Sequence, residues 1–213
     1  MNYFFNICPL QNLLIMKNIT KIALLLIGVG ILTSCSKKFY ESDEMEVMRR
    51  KHQSMAVLPP KIGIAADKKP SPSTALSGGK VGSAYDIQKV LIKNLNQRSD
   101  KYSVSIMPVE KTNKKLNQGN TSYYDLYTVK SVKELGNILY VDGILKGEIK
   151  SPKPLDEESE DNGKIEVKIS LFEANSEELL WEYKDKYEYN EYNSAEKLGN
   201  KIFSKISGKL PYK

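Results

Sequence analysis

The sequence predicts an α/β chain built as an α+β sandwich: a mixed sheet of about five strands with helices packed on it, in the order β-α-β-α-β-β-β-α. Three observations lead there. Lys164–Phe172 (KIEVKISLF) and Glu178–Asn190 (ELLWEYKDKYEYN) alternate apolar and polar residues, the period of a half-buried strand. Ala84–Arg98 and Ser194–Leu210 space their apolar residues as helices do. Ile138–Ile149 (ILYVDGILKGEI) is the most hydrophobic stretch of the globular part, and a short apolar run after a helix predicts a strand buried on both faces.

The elements follow in order. Met55-Ala56-Val57-Leu58 runs into Pro59-Pro60, which fits a buried strand stopped by proline, with Ile62-Gly63-Ile64 extending it after the break. Residues 66–83 (ADKKPSPSTALSGGKVGS) are rich in Lys, Pro, Ser and Gly and read as a long loop. Its Gly78-Gly79-Lys80-Val81-Gly82-Ser83 end lacks phosphate-loop spacing. Ala84–Arg98 puts Ile87, Leu91 and Leu95 on one helical face, with Ser83 placed to cap it. Tyr102–Val109 alternates and reads as a strand ended near Pro108, and Glu110–Asn120 as a polar loop. Thr121–Gly136 reads as one helix with Tyr124, Tyr127 or Thr128, Val132 and Leu135 inward, closed by Gly136. Strand, helix, strand, helix, strand then make βαβ crossovers, expected right-handed. Ser151–Gly163 reads as a solvated acidic loop: Asp156, Glu157, Glu158, Glu160 and Asp161 lack calcium-loop spacing. After it comes an antiparallel hairpin turning at Glu173–Glu177, with Leu179, Trp181, Tyr183, Asp185, Tyr187 and Tyr189 in phase. A final helix carries Leu198, Ile202 and Ile206.

Upstream of this domain, Lys17–Cys35 (KNITKIALLLIGVGILTSC) joins a basic start, an apolar run and a small-residue end, the parts of a secretory signal peptide. The apolar run from Ile22 to Leu32 is about half of the roughly 20 residues a membrane-spanning helix needs. Leu32-Thr33-Ser34-Cys35 resembles the lipobox of bacterial lipoproteins. That resemblance implies cleavage after Ser34 and acylation of Cys35. Met16-Lys17 is the better start for such a signal, which leaves residues 1–15, and Cys8 with them, outside it. The expected organisation is a signal peptide over 1–34, a flexible tether over 35–53 and a folded domain over 54–213. Loss of residues 1–34 removes Lys17 and Lys21 and no acid, taking the formal charge from +6 to +4. Such a lysine excess on a membrane-held protein fits an anionic surface or a plainly solvated face. Lys37 and Lys38 stand where a surface-export signal would carry acids, which favours the periplasmic face of the outer membrane. Nucleic acid is not an expected partner there.

Several motifs of the domain then resemble one family. Met55-Ala56-Val57-Leu58-Pro59 is similar to its opening strand. Lys133-Glu134-Leu135-Gly136 with Tyr140–Ile149 is similar to its central helix-to-strand region, and Val167–Trp181 to its hairpin. The family is that of lipoproteins with a TolB-N-terminal-like fold, which includes the curli secretion lipoprotein CsgG and the penicillin-binding-protein activator LpoB. The resemblance implies that fold over 54–210 and a role in the envelope, not one function, since a fold hosts many. The chain departs from the family at Glu173–Glu178, where the usual turn glycine is missing.

No residue grouping suggests catalysis. The single histidine, His52, lies between Lys51 and Gln53 in the expected tether and reads as solvated, so no nucleophile has a base. No Cys/His cluster offers a zinc site, and neither metal nor cofactor is expected. The sequence reading is a non-enzymatic envelope lipoprotein that binds another protein, with Tyr187, Tyr189 and Tyr192 as its contact surface and Cys35 as its lipid attachment. The alternative is an oligomeric secretion or assembly component of the curli-secretion-lipoprotein type. An enzyme acting on envelope polymers, using Asp142 or Glu148, is the third reading.

Overall fold

A computed structural model describes residues 39–64, 84–151, 163–189 and 195–213, all within one unit from Lys38 to Lys213. The elements are β1 (Phe39–Glu41), α1 (Met45–Lys51), β2 (Ser54–Val57), β3 (Lys61–Ile64), α2 (Ala84–Asn96), β4 (Ser105–Ile106), α3 (Val109–Gln118), α4 (Asp125–Thr128), α5 (Val132–Leu139), β5 (Gly143–Ser151), β6 (Gly163–Glu173), β7 (Leu179–Tyr189) and α6 (Ala195–Ser207). The fold class is the expected mixed α/β sheet with helices, but the sheet has seven strands where five were expected.

The strands run β1-β7-β6-β5-β2-β4, with β3 also paired to β5. β5, β6 and β7 are antiparallel, whereas β2 is parallel to both β4 and β5. β2 lies along Gly143–Leu145 and β3 along Glu148–Ser151. They form one line on β5, interrupted by Pro59-Pro60, whose nitrogens have no proton to give the ladder. Ile144 and Leu145 are both fully buried, as expected for a strand covered on both sides. On β6, Ile165, Val167, Ile169 and Leu171 face the core. α2 and α6 pack side by side. Asn94 Nδ2 donates to Asn200 Oδ1 across them at 2.9 Å. Lys205 of α6 reaches Asp185 of β7 at 2.7 Å, so α6 covers that face.

Several expectations are corrected. Residues 39–53 are not a tether. β1 pairs antiparallel with β7, Met45 is fully buried, and Ser42 N–H donates to the Leu180 carbonyl at 2.8 Å. These partners lie far along the chain, so the charged segment shows no lasting period of its own. Val109–Gln118 is a helix, not a loop; Val109, Thr112 and Leu116 form its buried stripe. The strand before it shrinks to Ser105–Ile106. The single helix over 121–136 is two. The chain breaks between α4 and α5, and Ser131 starts the second with a capping box to Glu134. Gly136 does not end that helix. It lies inside it, where an added Cβ would stand 2.6 Å from Ala174 Cβ. Tyr140 takes the left-handed capping position instead, at φ 56°. The hairpin turn is met as expected, with Glu177 at φ 65° where the resembled family carries glycine. The loops at 66–83 and 152–162, and Ser83 and Ser194, lie outside the described residues.

Candidate interaction surfaces

Of the tyrosines nominated from sequence, the one whose side chain is described, Tyr187, is buried. Tyr187 is 7% exposed. Its hydroxyl lies 3.4 Å from that of Tyr183, and Lys205 sits 5.6 Å from its ring centroid. Burial, then the Tyr183 hydroxyl, push its proton affinity well up. The reason is phase: Tyr187 points the same way as Trp181 and Tyr183, whose stacked rings are 6.2 Å apart inside the core. The side chain of Tyr189, and Tyr192 entirely, fall outside the described residues, as does Cys35.

An exposed aromatic surface forms instead around α4. Tyr123 is buried. Its hydroxyl donates to the Pro60 carbonyl at 2.7 Å and accepts from Ile62 N–H at 3.0 Å. Burial raises its pKa to about 12, against the Ile62 hydrogen bond. Tyr127 donates to the Pro59 carbonyl. Together they clamp the 121–128 turn onto the β2–β3 junction. Ser122 and Asp125 close the turn locally, Ser122 Oγ donating to Asp125 Oδ2 at 2.6 Å. With its neighbours held inward, Tyr124 is left exposed, together with Val129 and with Tyr85 at the start of α2. The Tyr85 ring lies 6.5 Å from Tyr123. A one-helix reading of 121–136 turned Tyr124 inward. The Ser131-x-x-Glu134 capping signature was the signal that separates the two helices.

His52 is 4% exposed, not solvated. Its Nδ1 lies 2.5 Å from Tyr212 Oη, and its Nε2 is 3.9 Å from Glu173 Oε1. The enclosure is completed by the C-terminal residues, where Ser103 N–H donates to the Tyr212 carbonyl at 2.8 Å. Burial lowers the His52 pKa, with Asp142 and Glu173 opposing. Asp142 accepts from Gln53 N–H at 2.8 Å and from Ser54 N–H at 2.9 Å. Burial pushes its carboxyl up, but these hydrogen bonds outweigh burial and hold it below the usual range. It serves to pin the start of β2 beside β5. Glu148 lies between Lys168, at 2.9 Å, and Lys150, at 3.6 Å. These groups are engaged in holding strands, not aligned on one reacting atom.

The face of β5–β7 away from α6 is charged. Glu166 pairs with Lys186 at 2.6 Å and Lys164 with Glu188 at 3.5 Å. At its β5 end, Lys61, Lys146, Lys168 and Glu148 line a recess of about 170 Å³. Burial lowers the pKa of Lys146, partly offset by Glu177. Among the described residues no group of three or more His, Cys, Asp or Glu is placed to hold a metal ion. No described helix is long and apolar enough to cross a membrane.

No protein-family model matches the chain, and no curated protein matches it. Solved structures do resemble it. Lipoprotein GNA1162 from Neisseria meningitidis is 13% identical, with a TM-score of 0.47, over 74% of this chain and 95% of that one. The PelC dodecamer from Paraburkholderia phytofirmans is 10% identical, with a TM-score of 0.40, over 76% of this chain and 90% of that one. The LpoB C-terminal domain from Escherichia coli is 10% identical, with a TM-score of 0.38, over 67% of this chain and 94% of that one. Values this low assign neither a family nor a function.

Proposed function

We propose that the chain is a non-enzymatic lipoprotein of the bacterial outer membrane, held on the periplasmic side through Cys35, which works by binding another envelope protein. The observation that carries the anchor is the order of basic start, apolar run and Leu32-Thr33-Ser34-Cys35. Intact mass and membrane fractionation test it. The native protein should carry diacylglycerol and acyl mass on a chain beginning at Cys35. Cys35→Ala should leave the leader attached and the lipid absent. An unmodified native chain overturns the reading.

The binding role is supported by exposed Tyr124 on the clamped turn, with Val129 just after α4 and Tyr85 at the start of α2. Tyrosine combines large contact area with a polar tip and little entropy to lose. Against catalysis stands the enclosure of the one histidine. A photocrosslinking residue at Tyr124 or Tyr85 should capture one discrete protein in intact cells. The same probe at Lys164, on the charged sheet face, should not. Equal capture from both positions, or none from Tyr124, removes this surface. The size of the captured species also decides the oligomeric alternative: adducts between copies of this chain would favour an assembly component.

A further inference from the structure

We infer that the β1 edge of the domain, with Phe39 and Tyr40, is a docking face for the lipid bilayer itself. This rests on acylation of Cys35 and adds to it an orientation. Only Ser36, Lys37 and Lys38 separate Cys35 from β1. At about 3.3–3.6 Å per residue, the path from Cys35 to Phe39 reaches at most about 14 Å. A domain running from Lys38 to Lys213 has a radius of gyration of about 16 Å. The leash is therefore shorter than the body it holds, and it keeps the surface around β1 within about 14 Å of the lipid.

That surface is built for it. Phe39 is 52% exposed and Tyr40 49%. β1 is the edge strand, and its successive side chains point to opposite faces of the sheet. With the sheet standing edge-on to the bilayer, both rings lie at headgroup level, where aromatic residues gather. Lys37 and Lys38, which precede Phe39 in the sequence, supply charge suited to anionic headgroups. Two half-exposed rings bind weakly alone. A short leash raises their effective concentration at the membrane, so weak contacts suffice to set orientation. Arg49, bonded to Glu41, fastens α1 to the same edge.

The test uses the mature acylated protein. Once residues 1–34 are removed, Cys35 is its only cysteine, so Asp43→Cys, an exposed site beside β1, supplies the one free thiol for a fluorophore. The protein is placed in phosphatidylethanolamine–phosphatidylglycerol vesicles carrying a lipid-borne quencher. Intact mass is read first: a chain without acyl groups overturns the anchor, not the docking face. With acylation confirmed, a ten-residue Gly/Ser spacer inserted after Lys38 separates leash from face. Docking predicts that quenching survives the spacer and is lost when Phe39→Ser and Tyr40→Ser are added to it. Loss of quenching with the spacer alone overturns the proposal. So does a detergent-solubilised dimer whose contact shields Asp43→Cys from quencher, since the edge is then covered by a second copy.

Discussion

An imidazole enclosed away from water is harder to protonate than one in a free chain. His52 is so enclosed, facing Tyr212 on one side and Glu173 on the other, with Asp142 near. Unfolded, it titrates near 6.5; folded, burial lowers that value against the pull of the two carboxylates. Between the two values the unfolded chain binds a proton that the folded chain refuses. The contribution to stability is thus complete above about pH 6.5 and is lost as pH falls through the folded value. Wild-type protein should therefore lose urea resistance from about pH 7.5 to about pH 5.5. His52→Gln should start less stable and decline less over the same range. Parallel declines would show that the ring is open to water. Tyr187 illustrates how far residue reasoning reached. Its phase with Trp181 and Tyr183 was legible along β7, and that phase was itself the sign that it points into the core.

Elements depend on a few close approaches. α5 meets the β6–β7 turn through Gly136, where a Cβ would lie 2.6 Å from Ala174 Cβ. Gly136→Ala gains helix propensity of up to about 1 kcal/mol. It also forces two methyl carbons together, and overpacking of that kind costs about 1–3 kcal/mol. A net loss of up to about 2 kcal/mol is expected in denaturant titration. Ala174→Gly in the same chain should recover most of it, giving a coupling energy a double-mutant cycle can measure. Additive effects would show that the turn moves aside. The neighbouring starts illustrate what a local signature can disclose. Ser131 and Glu134 announce α5 in the sequence itself. α3 hides its Val109, Thr112 and Leu116 stripe among lysines, so composition suggested a loop where spacing held a helix.

At the scale of the whole molecule, the stretch from residue 39 to 53, expected as a tether, belongs to the fold. Met45 is fully buried and β1 closes the β7 edge. Met45→Ala should therefore destabilise the protein by about 2–5 kcal/mol, read as a lower urea midpoint with an unchanged slope. In a solvated tether the substitution would do nothing. Folding from residue 39 onward makes β1 and α1 part of the domain, not a flexible lead into it.

Along the chain itself, the elements with a long and unmixed apolar period could be read. The alternating hairpin, the α2 and α6 stripes and the apolar β5 run were all readable along the chain. Only the tertiary structure decided that Phe39–Gln53 folds, that His52 is enclosed by Tyr212, and that Tyr124 faces out while Tyr187 faces in. Periodicity shows that a segment has two faces, but which face is covered depends on atoms that arrive from distant parts of the chain.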